Sequence, residues 1–152
     1  MYNSGIMDKD YFAKKFIQLF PEHEQEYIDH LETFNELLGH VFFADVLFHS
    51  EDVNTSLFEL LLENKDTETI GKYVDFIEDM YANGDLIVRD IVYVTILAHL
   101  GDEATVLRNF FMYCSETLIN VVKYIESKEQ HGRWDIRIWY KRGKVYADVC
   151  KW

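Results

Sequence analysis

Six histidines and 27 acidic side chains in 152 residues could build a metal site, and their spacing decides whether they do. A carboxylate-bridged di-iron site in a helical bundle needs Glu-x-x-His, because residues i and i+3 share one helical face. The residues three places before each histidine are Phe20, Tyr27, Leu37, Val46, Ile96 and Lys128, and none is a carboxylate. His23-Glu24 leads, at the zincin spacing, to Tyr27 and not to a second histidine. Glu26 and His30 stand at i,i+4, the spacing of an ordinary surface pair worth ~0.2–0.5 kcal/mol. The sequence therefore predicts no metal and no cofactor.

Nucleophilic chemistry has one candidate, Cys114, with His99 as the histidine that could assist it. Cys114 lies between Tyr113 and Ser115, in a stretch that carries Phe110, Phe111, Leu118 and Ile119. Burial among such groups raises a thiol's pKa and lowers its reactivity, so the reading is a core thiol beside a helix-end histidine. The second cysteine, Cys150, is expected to be another buried free thiol and not a disulfide partner. No Gly-x-Ser-x-Gly elbow occurs, and the seven glycines stand singly, which argues against a phosphate-cradling loop. Paired carboxylates for glycoside hydrolysis require a deep cleft with one acid desolvated. Acids on an outer helical face stay solvated, so no enzyme is expected.

Charge points elsewhere. Residues 1–126 hold 8 Lys and Arg against 24 Asp and Glu, whereas residues 127–152 hold 7 against 3. A body this acidic repels nucleic acid and anionic membrane surfaces and attracts basic proteins at a distance. Half the residues are hydrophobic and 16% are aromatic, which suits a folded single domain over residues 1–152 and not an acidic disordered tail. The first ten residues show no basic region followed by an apolar stretch, and the most apolar run, Ile91–Ala98, is far short of the ~20 residues that span a bilayer. A cytoplasmic protein is expected.

Helical periodicity organises the acidic body. A first helix is expected from Asp8 to Phe20, with Tyr11, Phe12, Phe16, Leu19 and Phe20 inward. Pro21 suits the first turn of a second helix, which presents Tyr27, Leu31, Phe34 and Leu38 and stops at Gly39. A third, from His40 to Ser50, is apolar nearly all round and belongs in the middle of the packing. A short fourth covers Ser56–Glu63. Thr67 is expected to cap a fifth that ends at Asn83-Gly84, Asp85 to open a sixth ending at Gly101, and Asp102 to open a seventh reaching Glu126. Alternation then replaces helical spacing: Trp134, Ile136, Ile138 and Tyr140, a Lys141-Arg142-Gly143-Lys144 turn, then Val145, Ala147 and Val149. This predicts a β-hairpin over residues 133–152, packed on the helical body because a lone hairpin is unstable in water. The fold class expected is mainly α, an antiparallel bundle or HEAT-like helical pairs of about seven helices, with a C-terminal hairpin.

The stretch from Tyr73 to Leu100 joins a helix carrying Phe76-Ile77-Glu78, a turn with Gly84-Asp85, and a Val/Ile-rich helix. Over residues 35–105 this pattern resembles small bacterial HEAT-like helical domains, several of which occur among the immunity proteins of polymorphic and contact-dependent growth-inhibition toxin systems. That resemblance implies stoichiometric binding of a toxin and supplies no catalytic residues. The hairpin lies outside it.

The hairpin interleaves basic and aromatic residues, the composition of a single-stranded nucleic-acid platform. The acidic body weighs against that use, and the reading is a structural element that buries one aromatic face and pairs its cations internally. The binding expectation rests on the acidic faces. Glu22, Glu24, Glu26, Asp29, Glu32 and Glu36 occur with no Lys or Arg between residues 16 and 64, and a second strip holds Asp75, Glu78, Asp79, Asp85 and Asp90. Like charges at i,i+4, such as Glu22/Glu26 and Glu32/Glu36, cost a helix a few tenths of a kcal/mol each. A chain that accepts this cost is expected to use the field to capture a basic partner, a nuclease toxin domain for instance. A helical adaptor for another protein is the alternative.

Overall fold

Asp8 sets the first helix. Its carboxylate accepts from the Tyr11 amide at 2.9 Å, so α1 runs Lys9–Leu19. The computed structural model describes residues 7–49, 56–128 and 133–151. The first six residues and Ser50, the expected end of the third helix, lie outside them. Phe12 and Phe16 of α1 are buried, and Phe20 closes the helix. Tyr11 and Leu19 are exposed, because the neighbouring elements cover a narrower stripe than the spacing suggested. Pro21 opens a 3-10 turn, Pro21–His23, which leads into α2, Glu24–Phe34.

Gly39 does not end α2. Asn35 does, in the left-handed conformation with φ 60°. Gly39 instead begins α3, Gly39–Phe48. A β-carbon there would sit 2.5 Å from the Ile91 side chain, so the glycine permits close approach of two helices. Next come α4, Leu57–Glu63, and α5, Thr67–Asn83. Thr67 is the first helical residue of α5, and Asp66 is the cap, accepting from the Thr69 amide.

The sixth predicted helix has the extent expected but not the form. After α6, Leu86–Asp90, the chain widens into a π-helical segment, Ile91–Ile96, before α7, Leu97–Leu100. The segment is rich in β-branched residues, and Ile91, Val92, Thr95 and Ile96 bury one side of it against α3 and its neighbours. The expected seventh helix is two: α8, Ala104–Phe110, capped by Glu103 and not Asp102, and α9, Glu116–Lys128. The break between them is held by Glu78, whose carboxylate accepts from both the amide and the hydroxyl of Ser115.

The helices share one core, centred on Phe12, Phe16, Phe42, Phe43, Tyr73 and Phe76. Tyr73 stacks on Phe20 with ring centres 4.1 Å apart, and Phe16 meets Phe42 and Phe43 edge-on. Each buried side chain of this size contributes ~1.5–3 kcal/mol of transfer free energy, and ring geometry adds ~0.5–1.5 kcal/mol per pair. Of the cysteines, Cys114 is a buried free thiol as expected, and Cys150 is a free thiol on the surface.

The hairpin forms as predicted: β1, Trp134–Lys141, pairs antiparallel with β2, Lys144–Lys151. Arg142 and Gly143 form its two-residue loop with φ of 54° and 76°, the left-handed pair that a type I′ turn needs. β2 packs on α8 and β1 on α9. Trp134, Ile136 and Ile138 pack against the core, and Ala147 and Val149 are buried. Arg133 fastens the hairpin to the body through Asp102, Glu126 and the Ala98 carbonyl, and the Trp134 indole donates to the Gly101 carbonyl at 2.6 Å. Internal pairing extends to only one more of the hairpin's described cations. Arg137 pairs with Asp135 on its own strand, while Lys141, Arg142, Lys144 and Lys151 form no ion pair with another described residue.

Candidate partner-binding groove

His30 anchors the wall of the groove between α2 and α3. Its ring is buried, and its Nε2 accepts from the Leu38 amide at 2.9 Å. That bond makes Nε2 the acceptor of a neutral imidazole and ties α2 to the link that leads into α3. Burial holds the His30 pKa below the ordinary histidine value, with the Asp45 charge pulling the other way. Seven residues earlier, at the end of the 3-10 turn, buried His23 bonds Glu26 through Nδ1 at 2.7 Å and the Tyr73 hydroxyl through Nε2 at 3.0 Å. With a carboxylate on Nδ1, Nε2 is the acceptor and Tyr73 the donor. Burial, then the charges of Glu22 and Glu26, push the Tyr73 phenol well above its usual range and keep it protonated. These bonds fix the near end of α2 to α5.

The groove so framed has a volume of about 430 Å³. Glu26, Asp29 and Asp45 supply three carboxylates, Phe34 and Phe42 form apolar walls, and His30 and His49 complete the polar lining. Among the described residues no Lys or Arg lines it. Such a lining suits a cationic side chain with an apolar stem, which can meet carboxylates at its head and aromatic surface along its length.

Of the acids singled out in the sequence, Glu26 and Asp29 line this groove. Glu22, Glu24, Glu32 and Glu36 are exposed along the 3-10 turn, α2 and the link after it. The second strip is put to other uses. Glu78 holds Ser115, whose hydroxyl caps α9, Asp85 caps α6, and Asp79 is held by Lys15 and Asn83, bonds that lower the Asp79 pKa against the effect of burial. Asp75 and Asp79 line a separate groove of about 240 Å³, where Lys15 and Lys72 balance their charge. Sequence reasoning missed Asp45 and His49, and it read His30 as a surface partner of Glu26, whereas His30 is buried on the Leu38 amide and Glu26 bonds His23. Asp45 had a signal, being the one charged side chain in an otherwise apolar helix.

Among the described residues no group of three or more His, Cys, Asp or Glu is arranged to hold a metal ion. Burial, helped by the Glu78 charge, raises the Cys114 pKa far above the thiol range. His99 is turned to other contacts, stacking on Phe48 and donating through Nδ1 to the Thr95 carbonyl at 2.7 Å. No helix among the described residues is long and apolar enough to cross a membrane.

The model of the DUF7674 family, described as a domain of unknown function, matches residues 13–132. The chain belongs to that family. The DUF7674 span runs from within α1 to just before the hairpin, so it takes in the whole α2–α3 groove and leaves β1 and β2 outside. No curated protein and no solved structure matches the chain.

Proposed function

We propose that this DUF7674 protein captures a basic protein partner along α2 and in the α2–α3 groove, and that the partner is a toxin domain it neutralises by steric occlusion. One observation carries the reading. The longest stretch of sequence without Lys or Arg, residues 16–64, contains both walls of a groove lined by Glu26, Asp29 and Asp45 beside Phe34 and Phe42. The concentrated negative charge steers a cationic partner, and the aromatic walls give it a desolvated anchor. Nuclease toxin domains are basic because they bind phosphate backbones, and electrostatic steering raises association to ~10⁸–10⁹ M⁻¹s⁻¹ at low salt. The resemblance of residues 35–105 to immunity-type helical domains points the same way.

The test is calorimetric titration against the C-terminal domain of the protein encoded immediately upstream, at low and high salt. Tight one-to-one binding that weakens as salt rises is the expected result. Absence of binding overturns the toxin assignment and leaves a helical adaptor as the better description.

A further inference from the structure

The hairpin ends in a cationic tip that the molecule leaves unused. Lys141 and Lys144 are cross-strand partners at its last rung, with Arg142 in the loop between them. All three are exposed and form no ion pair with another described residue. Two rungs inward, Trp139 and Tyr146 stack across the strands at 5.9 Å and 15°, both exposed, and Tyr140 on the rung between is 57% exposed. A hairpin needs cross-strand pairs for its own stability, but it does not need three uncompensated cations at the turn. The turn chemistry requires only Gly143 and a residue that accepts a left-handed conformation, for which Asn is a better choice than arginine.

The same chain carries the complementary surface elsewhere. The α2–α3 groove presents three carboxylates and aromatic walls, with no Lys or Arg among the described residues that line it. The hairpin is seated on α8 and α9, and its tip forms no ion pair with its own groove. From these two surfaces we infer that the hairpin tip of one copy docks in the α2–α3 groove of a second copy, with Arg142 entering between Asp29 and Asp45 and the two lysines at the rim. Because tip and groove are different patches, two copies either exchange tips reciprocally and close as a dimer or associate onward head to tail. The inference uses the groove of the proposed function but does not depend on a toxin. It adds that self-association occupies the groove, and that a basic partner must displace a neighbour's hairpin.

Two variants test this together. K141Q/R142N/K144Q removes the tip charges and keeps a favourable I′ turn, and D29N/D45N neutralises the groove while leaving Glu26 on His23. Sedimentation velocity at about 10 mM salt, where the Debye length is ~30 Å, reads the association. The unaltered protein is expected to show a sedimentation coefficient that rises with concentration, and each variant alone is expected to remain monomeric. Mixed in equal amounts, the variants are expected to form a one-to-one dimer that grows no further, because one supplies the only charged groove and the other the only charged tip. That mixture also controls for folding. A monomeric unaltered protein, variants that associate like it, or a mixture that stays monomeric each overturns the inference. If the protein stays monomeric and its tip instead binds a labelled single-stranded oligonucleotide that the tip variant does not, the occupant is nucleic acid and the assignment to a second copy is wrong. Toxin binding by a monomeric protein likewise removes this inference while leaving the proposed function standing.

Discussion

The Leu38 amide donates to His30 Nε2 at 2.9 Å, and protonating that nitrogen breaks the bond. Burial already disfavours the imidazolium, so folding lowers the His30 pKa below its unfolded value of 6.5. The folded state then binds fewer protons than the unfolded state over this window. Its contribution is complete above pH 6.5 and is lost as pH falls from there through the folded value. Asp45 opposes the shift, and Glu26, Asp29 and His49 line the same groove. Urea unfolding at pH 7.5 and 5.5 is expected to show a smaller stability at the lower pH, and the difference to shrink in His30→Gln. An undiminished difference in the variant would assign the effect to other groups.

The Tyr73 hydroxyl is the hydrogen-bond partner of His23 Nε2 in a fully buried site. Tyr73→Phe keeps the stacking on Phe20 and orphans that nitrogen. The expected cost is ~1–3 kcal/mol, the penalty of an unsatisfied buried acceptor. Chemical denaturation measures it directly, and a neutral substitution would mean that water satisfies His23.

Charge on α2 separates binding from stability. Glu24, Asp29 and Glu32 are exposed, whereas Glu26 is bonded to His23, so reversal of the first three leaves the fold's own bonds intact apart from the Gln25–Asp29 contact. Glu32 lies in the last turn of α2, where the helix dipole disfavours an anion by ~0.3–1 kcal/mol, and Glu24 in the first turn, where it favours one by a similar amount, so the two reversals offset. E24K/D29K/E32K is expected to slow association with a basic partner severalfold at low salt while leaving the denaturant midpoint nearly unchanged. Stopped-flow association kinetics decide the point, and an unchanged rate takes this face out of the interface.

What the sequence made legible follows from the range of the interactions concerned. Asp8, Ser56 and Asp85 each cap the helix they precede, through bonds three residues long, and their positions could be read directly. The hairpin was equally clear, because alternation and turn residues are local. The break after Phe110 was not, since Glu78 secures it from 37 residues away. Gly39 was taken for a helix stop because a stop and a close approach both call for glycine, and only packing against Ile91 tells them apart. The acidic ridge of α2 was evident as composition. Its groove was not, because Asp45 joins it only when α3 packs against α2. Lys15 neutralises Asp79 from 64 residues away, and the second acidic strip overstated its free charge for that reason.

Arg133 and Glu126 form the joint between hairpin and body. Glu126 is 1% exposed, and it accepts from both the Arg133 guanidinium and the Arg133 amide. Removing one member of such a pair leaves the other charge buried without its partner, a loss of ~3–5 kcal/mol when both ions are buried. Arg133 is about one-third exposed, so Arg133→Ala is expected at the lower end of that range. Glu126→Gln in the same background removes the stranded charge and is expected to restore part of the loss, giving a double-mutant coupling that opposes simple addition. The Arg133 amide and the Trp134 indole still hold the hairpin start in that double variant, so near-ultraviolet circular dichroism from Trp134 should recover along with stability. Strictly additive losses, with no spectral recovery, would mean that the ion pair is incidental and that apolar packing of Trp134, Ile136 and Ile138 alone seats the hairpin.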